Sequence, residues 1–466
     1  MSQIPFLDIE KSVLGDIVIS DTLWPALTFL CDACNGRFAG SEDEQRAADF
    51  IVRSLQHCNL SDVHIEEFPL RGWRRGPARV IVNGHMLPCI GLPGTPSCDL
   101  SAPVLLLGDG EPLDFEKAGE LARGKIALVR GKGSHRLEKY GRAVQAGCVG
   151  FIFSGTEPNA LPPTGSLEYA GQPAPIPGVG IAYETLCRLE RIAAQGEMTG
   201  HLQIEAQTFD AVGRNVIADL IPAGVDKPDL LMMCAHYDGH DIAQGAVDNA
   251  SGTVAVLEAA RALKTAYDAL AAQGAAPARG IRFALWSGEE LGMLGSSHYA
   301  HCHADELARI RLVFNCDIVG NPGALFLGVN GYDTDRLVTF LNRLAGDRVF
   351  EVQAGNRTLI PYSDHFSFYL KGVPVLMAAT GGGQSPGPHT HGDTLDKVDV
   401  RAVRWTTAFA ARALLRLAVS SLPDLSPDLS PDLSPLPARH ATMEEVRAAL
   451  RAAGYEVLLD RPSRWS

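Results

Sequence analysis

The chain has 466 residues, of which 46% are hydrophobic and 20% charged, and its formal net charge is -13. This length and composition are typical of a soluble protein of two or three domains with a sizeable core. The negative charge argues against nucleic acid as a general partner, because phosphate binding needs a basic surface. The sequence has no run of about 18 apolar residues, so no membrane span is expected.

The amino terminus and the cysteines predict a cytoplasmic location. Asp8, Glu10 and Lys11 stand where a signal peptide would have its apolar core. The chain has ten cysteines, most in apolar surroundings, which is typical of reduced and buried thiols. Cys31-x-x-Cys34 has no second pair at zinc-ribbon spacing, so we interpret it as a packing feature.

The first half of the chain predicts a strand and then a small insert. The strand reads VHIEEFPL, and the basic cluster after it, LRGWRRG (70–76), is interpreted as a solvated turn. From about 74 to 208 there are many Gly and Pro and one helical patch near 136–147. The short apolar runs of this stretch are ARVIVN, PVLLLG, KIALVR and VGFIF. We expect a separate small α/β or β-rich domain here.

From about residue 213, apolar strands alternate with longer helices. The strands read NVIADLI, DLLMMCA, IRFALW, RLVFNCD, ALFLGV and VPVLMAA. The helices read SGTVAVLEAARALK, ELGMLGSSHYA, TDRLVTFLNRL and DVRAVRWTTAFAARALLRLAV. This alternation predicts an α/β fold with a mainly parallel mixed sheet and helices on both faces.

The carboxyl-terminal part begins with LPDLSPDLSPDLSPL (422–436), in which a proline every fourth residue predicts an extended linker. TMEEVRAALRAAGY then predicts one amphipathic helix, to which we assign no chemistry. The predicted organisation is a main domain formed by 1–73 and 209–420, an insert at 74–208, a linker at 421–437 and an appendage at 438–466.

Side chains of metal-binding type follow four of the predicted strands. In open α/β sheets, ligands gather beyond the carboxyl ends of the strands. The residues at these ends are His236, Asp238 and Asp248 after DLLMMCA, Glu289 and Glu290 after IRFALW, Asp317 ending RLVFNCD, and His389 beyond VPVLMAA. Each alone has a structural explanation, such as a helix cap or a favourable charge at a helix amino terminus. Together they indicate a metal site, because carboxylates that end apolar strands are costly without a cation.

One arrangement places these side chains around two divalent ions. It assigns His236 and Asp317 to the first ion, Glu290 and His389 to the second, and Asp248 to both. Such a pair activates water and polarises a carbonyl group. Glu289, which remains without a ligand role, is then the candidate general base, and Asp238 would orient His236.

The ordered motifs resemble the di-zinc exopeptidase family of bacterial aminopeptidases, glutamate carboxypeptidases and carboxypeptidase Q. The motifs are AHYDGHDIAQGAVDNASG (235–252), WSGEELGMLGS (286–296), NCDIVG (315–320), YSDHFSFYLKGVPVLM (362–377) and PHTHGDTLDKVD (388–399). The resemblance implies two zinc ions per chain on His236, Asp248, Glu290, Asp317 and His389, with Glu289 as base and Asp238 orienting the metal site. It also implies a cis peptide bond between Asp248 and Asn249.

The resemblance extends to the insert and to substrate contacts. GKIALVRGKGSHRLEKYGRAVQAGCVGFIFSG resembles a protease-associated domain, which lies beside the active site in relatives. The family frame H-T-x-x-D-T aligns on His389 and leaves His391 free to face substrate. Further candidate substrate contacts are Tyr362, Asp364 and His365. AQGAVDNASG and PHTHGDT are similar to carboxypeptidase Q, whose relatives act on dipeptides, whereas Ser363-Asp364-His365 is closer to the aminopeptidases.

The resemblance implies a zinc exopeptidase that hydrolyses amino-terminal peptide bonds of short peptides, as an aminopeptidase or dipeptidase. Members of the family often form homodimers. A carboxypeptidase of the same family is an alternative. A serine hydrolase is another, because residues 383–387 around Ser385 fit the G-x-S-x-G nucleophile elbow. The elbow must open into a helix, however, and Pro386 and Pro388 oppose one. A non-catalytic binding protein is disfavoured, because receptor relatives lose metal ligands and this chain keeps all five.

Overall fold

The computed structural model describes residues 6–158, 161–168, 173–346, 351–356, 359–381, 387–419, 435–453 and 455. The helices are α1 (Phe6–Ile19), α2 (Leu23–Thr28), α3 (Glu42–His57), α4 (Pro112–Ala118), α5 (Arg136–Gln145), α6 (Tyr183–Ala193), α7 (Ser251–Ala271), α8 (Leu294–Cys302), α9 (Asp335–Ala345), α10 (His365–Tyr369), α11 (Val400–Val419) and α12 (Met443–Ala452). The strands are β1 (Ser61–Val82), β2 (His85–Leu87), β3 (Ile90–Gly91), β4 (Cys98–Leu106), β5 (Ile126–Arg130), β6 (Gly150–Ser154), β7 (Gly178–Ile181), β8 (Met198–Leu220), β9 (Asp229–His236), β10 (Arg279–Trp286), β11 (Ile310–Cys316), β12 (Ala324–Asn330), β13 (Val352–Asn356) and β14 (Val375–Gly381).

Within the described residues these strands form one hydrogen-bonded sheet. Its order is β13-β12-β14-β11-β9-β10-β8-β4-β5-β6-β7-β3, with β1 paired to β8 and β2 paired to β1. In the main domain β9 is parallel to both β10 and β11, and β11 is parallel to β14. The pairs β8–β10 and β12–β14 are antiparallel. The predicted mainly parallel mixed sheet is therefore confirmed.

Helices cover both faces of the main sheet because its central strand is apolar on both sides. In β9, Leu231 and Met233 pack into a core cluster that also holds residues of α1, α7 and α11. The alternate residues, Met232 and Cys234, pack into a second cluster with residues of α8 and α10. This double burial explains why DLLMMCA is continuously hydrophobic rather than alternating.

Two long strands join the main domain to the insert. β1 and β8 pair antiparallel along most of their length, and Trp73 lies opposite Thr208. The predicted domain boundaries, 73/74 and 208/209, thus face each other within this two-stranded ribbon. The insert has hydrophobic clusters of its own, yet its strands continue the main sheet through β8.

The expectation of a solvated turn at LRGWRRG is wrong, since residues 70–76 lie inside β1. Trp73 is only 3% exposed, and its Nε1 donates a 3.0 Å hydrogen bond to the carbonyl oxygen of Thr95. Gly72 leaves room for the ring of Phe209 on β8, because a Cβ there would lie 2.5 Å from that ring. The glycines therefore serve cross-strand packing, which the local sequence does not reveal.

The amino-terminal helix α1 packs on the main core through Ile9, Val13 and Ile17. Its buried Glu10 accepts hydrogen bonds from Arg412 and Arg416 of α11. Among the described residues, no single helix has the length and apolar character to cross a membrane. Only the bent pair of helical segments 6–19 and 23–33, taken together, has both the length and the apolar character.

The predicted amphipathic helix near the carboxyl terminus is confirmed as α12. Thr442 and Glu445 form its capping box, and Val446 and Leu450 are buried in the second core cluster. Residues 420–434, most of the predicted linker, and Ser385, the serine hydrolase candidate, lie outside the described residues.

All ten cysteines are free thiols. Cys31 and Cys34 are buried in the main core, as the packing interpretation predicts. Burial raises the pKa of Cys31 to about 12 and that of Cys34 to about 11. Neither thiol is therefore ionised at neutral pH.

Candidate metal centre and active site

Four neighbouring strands deliver the predicted metal ligands to one edge of the sheet. The order β14-β11-β9-β10 is parallel throughout, so the carboxyl ends of these strands lie side by side. His236 is the last residue of β9, and Asp317 follows the last residue of β11. Glu290 and His389 lie on the connections that leave β10 and β14. Residues up to 153 positions apart in sequence, such as His236 and His389, are thereby brought together.

The first donor group consists of His236, Asp248 and Asp317. His236 Nε2 lies 3.2 Å from Asp248 Oδ1 and 3.4 Å from Asp317 Oδ1. Asp317 Oδ1 is buried and has no hydrogen-bond partner in the described part of the chain. Ligand atoms 2.0–2.1 Å from a tetrahedral zinc ion lie about 3.3 Å from one another. The three side chains therefore fit one divalent ion.

The second donor group contains His389, Glu290 and a residue that the sequence did not single out, His240. His389 Nε2 lies 3.1 Å from Asp248 Oδ2 and 3.3 Å from Glu290 Oε2. Asp248 thus turns one oxygen toward each group, as a bridging carboxylate would. His240 Nε2 lies 2.8 Å from Glu290 Oε2. No spacing rule pointed to His240, because it lies in an irregular loop.

The loop that carries Asp248 is held on both sides. The Asp248–Asn249 peptide bond is cis, which confirms the expectation. Asp393 accepts hydrogen bonds from the amides of Val247 at 2.7 Å and Asp248 at 3.1 Å. Asn249 Nδ2 donates to the carbonyl oxygen of Cys316 at 2.8 Å. Asp393 therefore positions the bridging carboxylate, a role that its place in the H-T-x-x-D-T frame could have suggested.

Asp238 links the first histidine to the glutamate pair. Its carboxylate accepts hydrogen bonds from the amides of Glu289 at 3.1 Å and Glu290 at 3.3 Å. His236 Nδ1 donates to the backbone carbonyl of Asp238 at 3.1 Å. This bond fixes the tautomer and leaves Nε2 available for a metal ion. Asp238 is placed to orient His236, because its carbonyl oxygen accepts from Nδ1 and its Oδ1 lies 3.7 Å from the same nitrogen.

Glu289 stands apart from both donor groups. It lines the cavity beside them, and its carboxylate forms no hydrogen bond or ion pair with any residue that the structure describes. Burial raises the pKa of this carboxyl well above its usual value, and the neighbouring Glu290 raises it further, although His236 opposes the change. A carboxyl group in such surroundings suits proton transfer near neutral pH.

The cavity has a volume of about 280 Å³ and lies between the main domain and the insert. The main domain contributes Glu289 and four of the five predicted ligands, Asp248, Glu290, Asp317 and His389. The insert contributes His135, Arg136, Ser166 and Glu168. The insert therefore forms a wall of the active-site cavity, as the resemblance to a protease-associated domain implies.

Of the four predicted substrate contacts, only Tyr362 lines the cavity. Its ring stacks on His135 with centroids 3.8 Å apart, and its hydroxyl donates to Glu138 at 2.5 Å. Asp364 and His365 are buried at the start of α10 and are not part of the cavity wall. His391 is exposed and also lies off that wall. Asp364, His365 and His391 are thus not among the residues that line the cavity.

Comparisons with known proteins agree with this geometry. Residues 215–414 match Peptidase family M28, and residues 96–189 match the PA domain. Aminopeptidase YwaD of Bacillus subtilis is 29% identical over 389 residues, which are 80% of each chain. Carboxypeptidase Q of Mus musculus is 25% identical over 453 residues, which are 90% of each chain.

A solved structure shows the same relationship in three dimensions. The zinc aminopeptidase BSAP from Bacillus subtilis superimposes with a TM-score of 0.65 at 26% identity, over 84% of this chain and 93% of that chain. Motifs, donor geometry and comparisons therefore agree. The chain is a metal-dependent exopeptidase whose residues 215–414 match Peptidase family M28 and whose insert matches the PA domain.

Proposed function

We propose that the protein is a zinc-dependent exopeptidase that cleaves dipeptides and other short peptides beside their free termini. The observation that carries this proposal is the arrangement of two donor groups between which Asp248 lies. Asp248, Asp317, Glu290 and His389 line a single cavity together with Glu289. A volume of about 280 Å³ is just below the roughly 300–1,000 Å³ of typical ligand pockets. Such a space favours small substrates.

His236, Asp248 and Asp317 would hold one ion, and Asp248, Glu290 and His389 would hold the other. Imidazole and carboxylate donors suit zinc, and the similar Bacillus subtilis structure is named a zinc aminopeptidase. When bound, the ions supply Lewis-acid activation of water and of the scissile carbonyl group.

Glu289 performs the proton transfers in this proposal. Its carboxylate takes a proton from the attacking water and passes it to the nitrogen of the leaving amine. The hydrogen bond from the Glu289 amide to Asp238 fixes the backbone from which the side chain extends. Its raised pKa makes the carboxyl both a competent base and a competent acid.

Arg136 supports a substrate with a free carboxylate. This side chain is only 8% exposed, and it lines the cavity. Its Nε and Nη1 donate to the backbone carbonyls of Ser166 and Thr164, while no carboxylate among the described residues pairs with it. Burial lowers the pKa of Arg136 to about 10, although Glu290 and Glu289 oppose the shift. The group stays charged at neutral pH, and a substrate carboxylate would compensate that charge.

A dipeptide substrate would explain why this chain is similar both to an aminopeptidase and to a carboxypeptidase. In a dipeptide the bond beside the amino terminus is also the bond beside the carboxyl terminus. An enzyme that requires both free ends therefore shares features with an aminopeptidase and with carboxypeptidase Q, the names of two similar proteins.

We also propose that the protein works in the cytoplasm. All ten cysteines are free thiols, which suits a reducing compartment. Fractionation of the source cells tests this directly, because recovery of the protein outside the cytoplasmic fraction would refute it.

A substrate panel tests the proposed activity. It compares one dipeptide with its amino-acetylated form, its carboxyl-amidated form and a pentapeptide, each with and without a zinc chelator. We expect fastest turnover of the free dipeptide, loss of activity with chelator and recovery on addition of zinc. Full-rate cleavage of the acetylated form would exclude the need for a free amino terminus. Activity unchanged by complete metal removal would exclude the metallopeptidase proposal.

A further inference from the structure

His240 lies in the loop between Asp238 and Asp248, outside the five positions that the family resemblance supplies as ligands. It is 4% exposed, and neither ring nitrogen has a hydrogen-bond partner in the described part of the chain. A buried imidazole with two unsatisfied nitrogens is unusual and calls for a partner. The groups that surround the His240 ring therefore indicate what that partner is.

The ring of His240 is directed at the second donor group. Its Nε2 lies 2.8 Å from Glu290 Oε2, but the two atoms are not aligned as a hydrogen bond. The ring also lies perpendicular to that of His389, with centroids 4.7 Å apart. One donor atom from each of the three side chains falls within 4.8 Å of the others. Close but misaligned donor atoms are what convergence on a shared third atom produces.

A role in substrate contact does not fit this placement. The cavity wall includes Glu290 and His389 but not His240. The imidazole ring of His240 instead lies near the ring of Phe38, with centroids 6.3 Å apart. A residue in that position acts on the metal site or on the ligands themselves.

We infer that His240 is an additional ligand of the second metal ion, an inference that rests on the proposed two-metal function. The second ion then has four protein ligands, His240, Glu290, His389 and the shared Asp248, whereas the first has three. A fourth donor from the protein would hold the second ion more tightly than the three donors would hold the first.

Metal binding to two substitutions of His240 tests the inference. His240→Phe keeps the packing of the ring but removes both nitrogens. His240→Gln keeps an amide that can donate a hydrogen bond to Glu290 but is a poor zinc ligand. His301→Phe, a change at an exposed histidine, is the control. The readouts are zinc affinity by competition with a chelator and the visible absorption spectrum of the cobalt-substituted protein.

We expect both His240 variants to bind the second ion about 100-fold or more weakly than the wild type, with the first ion and the melting temperature of the metal-free protein little changed. Loss of an outer partner typically weakens binding by only about 10–100-fold. If His240→Gln binds within threefold of the wild type, or keeps its cobalt spectrum, His240 only orients Glu290 and the inference is refuted. A wild-type chain that binds fewer than two ions would overturn the proposed function as well.

Discussion

The backbone amide of Thr164 donates a 2.7 Å hydrogen bond to the carbonyl oxygen of His389. Thr164 belongs to the insert, and His389 belongs to the main domain and the second donor group. His389 has φ of 64°, a backbone conformation that residues other than glycine adopt rarely and that needs support from neighbours. The insert therefore helps to hold a candidate metal-binding histidine in place.

Replacing Thr164 by proline removes the donor of this bond. We expect kcat/KM to fall about three- to tenfold, since one hydrogen bond contributes roughly 0.5–1.5 kcal/mol. Thr164→Ala is the matched control, because it keeps the amide and loses only the hydroxyl that accepts from Arg75. Equal kcat/KM values for the two variants would show that the amide has no role in the site.

Glu289→Gln should keep both metal ions and lose most turnover. Glutamine retains the shape of the side chain but cannot accept and return a proton, and general acid–base catalysis contributes about 10²–10⁴-fold. Steady-state kinetics should show this loss in kcat, while metal analysis should still find two ions per chain. Glu197→Gln, at an exposed position just before β8, is the control. A variant with more than a tenth of the wild-type kcat would rule out the role.

Arg136→Met should weaken recognition of peptides with a free carboxyl terminus. A hydrogen bond to a charged group contributes roughly 1.5–3 kcal/mol, so KM for the dipeptide should rise about 10- to 100-fold. The carboxyl-amidated dipeptide should change far less, and Arg136→Lys should recover part of the loss. An equal loss for the free and amidated substrates would mean that Arg136 supports the fold of the insert instead of binding the carboxylate.

Glu10→Gln should destabilise the protein in a pH-dependent way. Burial favours a raised pKa for Glu10, but Arg416 and Arg412 lower it below 4.5 overall. An acid whose pKa is lower in the folded state adds stability above its unfolded pKa and loses that stability as the pH falls further. We expect a loss of about 3 kcal/mol at pH 7, since the change breaks a buried ion pair.

Denaturant unfolding of wild type and Glu10→Gln at several pH values measures this effect. The difference in free energy of unfolding should be constant from neutral pH down to about 4.5 and should shrink below that value. Asp8→Asn, which alters an exposed pair with Lys11 on the same helix, should have little effect. A difference that stays constant down to pH 3 would contradict the assignment of the pair.

The residues of the site could be predicted from the sequence because the sequence shows where the strands end. Continuous apolar runs mark buried parallel strands, and the side chains after them must meet at one edge of the sheet. The spacing of PHTHGD alone could not choose between its two histidines. The family frame selected His389, and the structure places its Nε2 between Asp248 and Glu290 while His391 is exposed.

Only the tertiary structure could reveal His240 and Arg136. His240 lies in an irregular loop, where no periodicity predicts a direction, and the path of that loop alone brings Nε2 to Glu290. Arg136 reaches the cavity because the β1–β8 ribbon carries the insert over the strand ends, and LRGWRRG gave no local sign of that pairing. The sequence thus determined which reactive side chains lie at the strand ends, because hydrophobic patterns within short segments locate the strands. Long-range packing decided what surrounds that chemistry, because it depends on contacts between segments far apart in the chain.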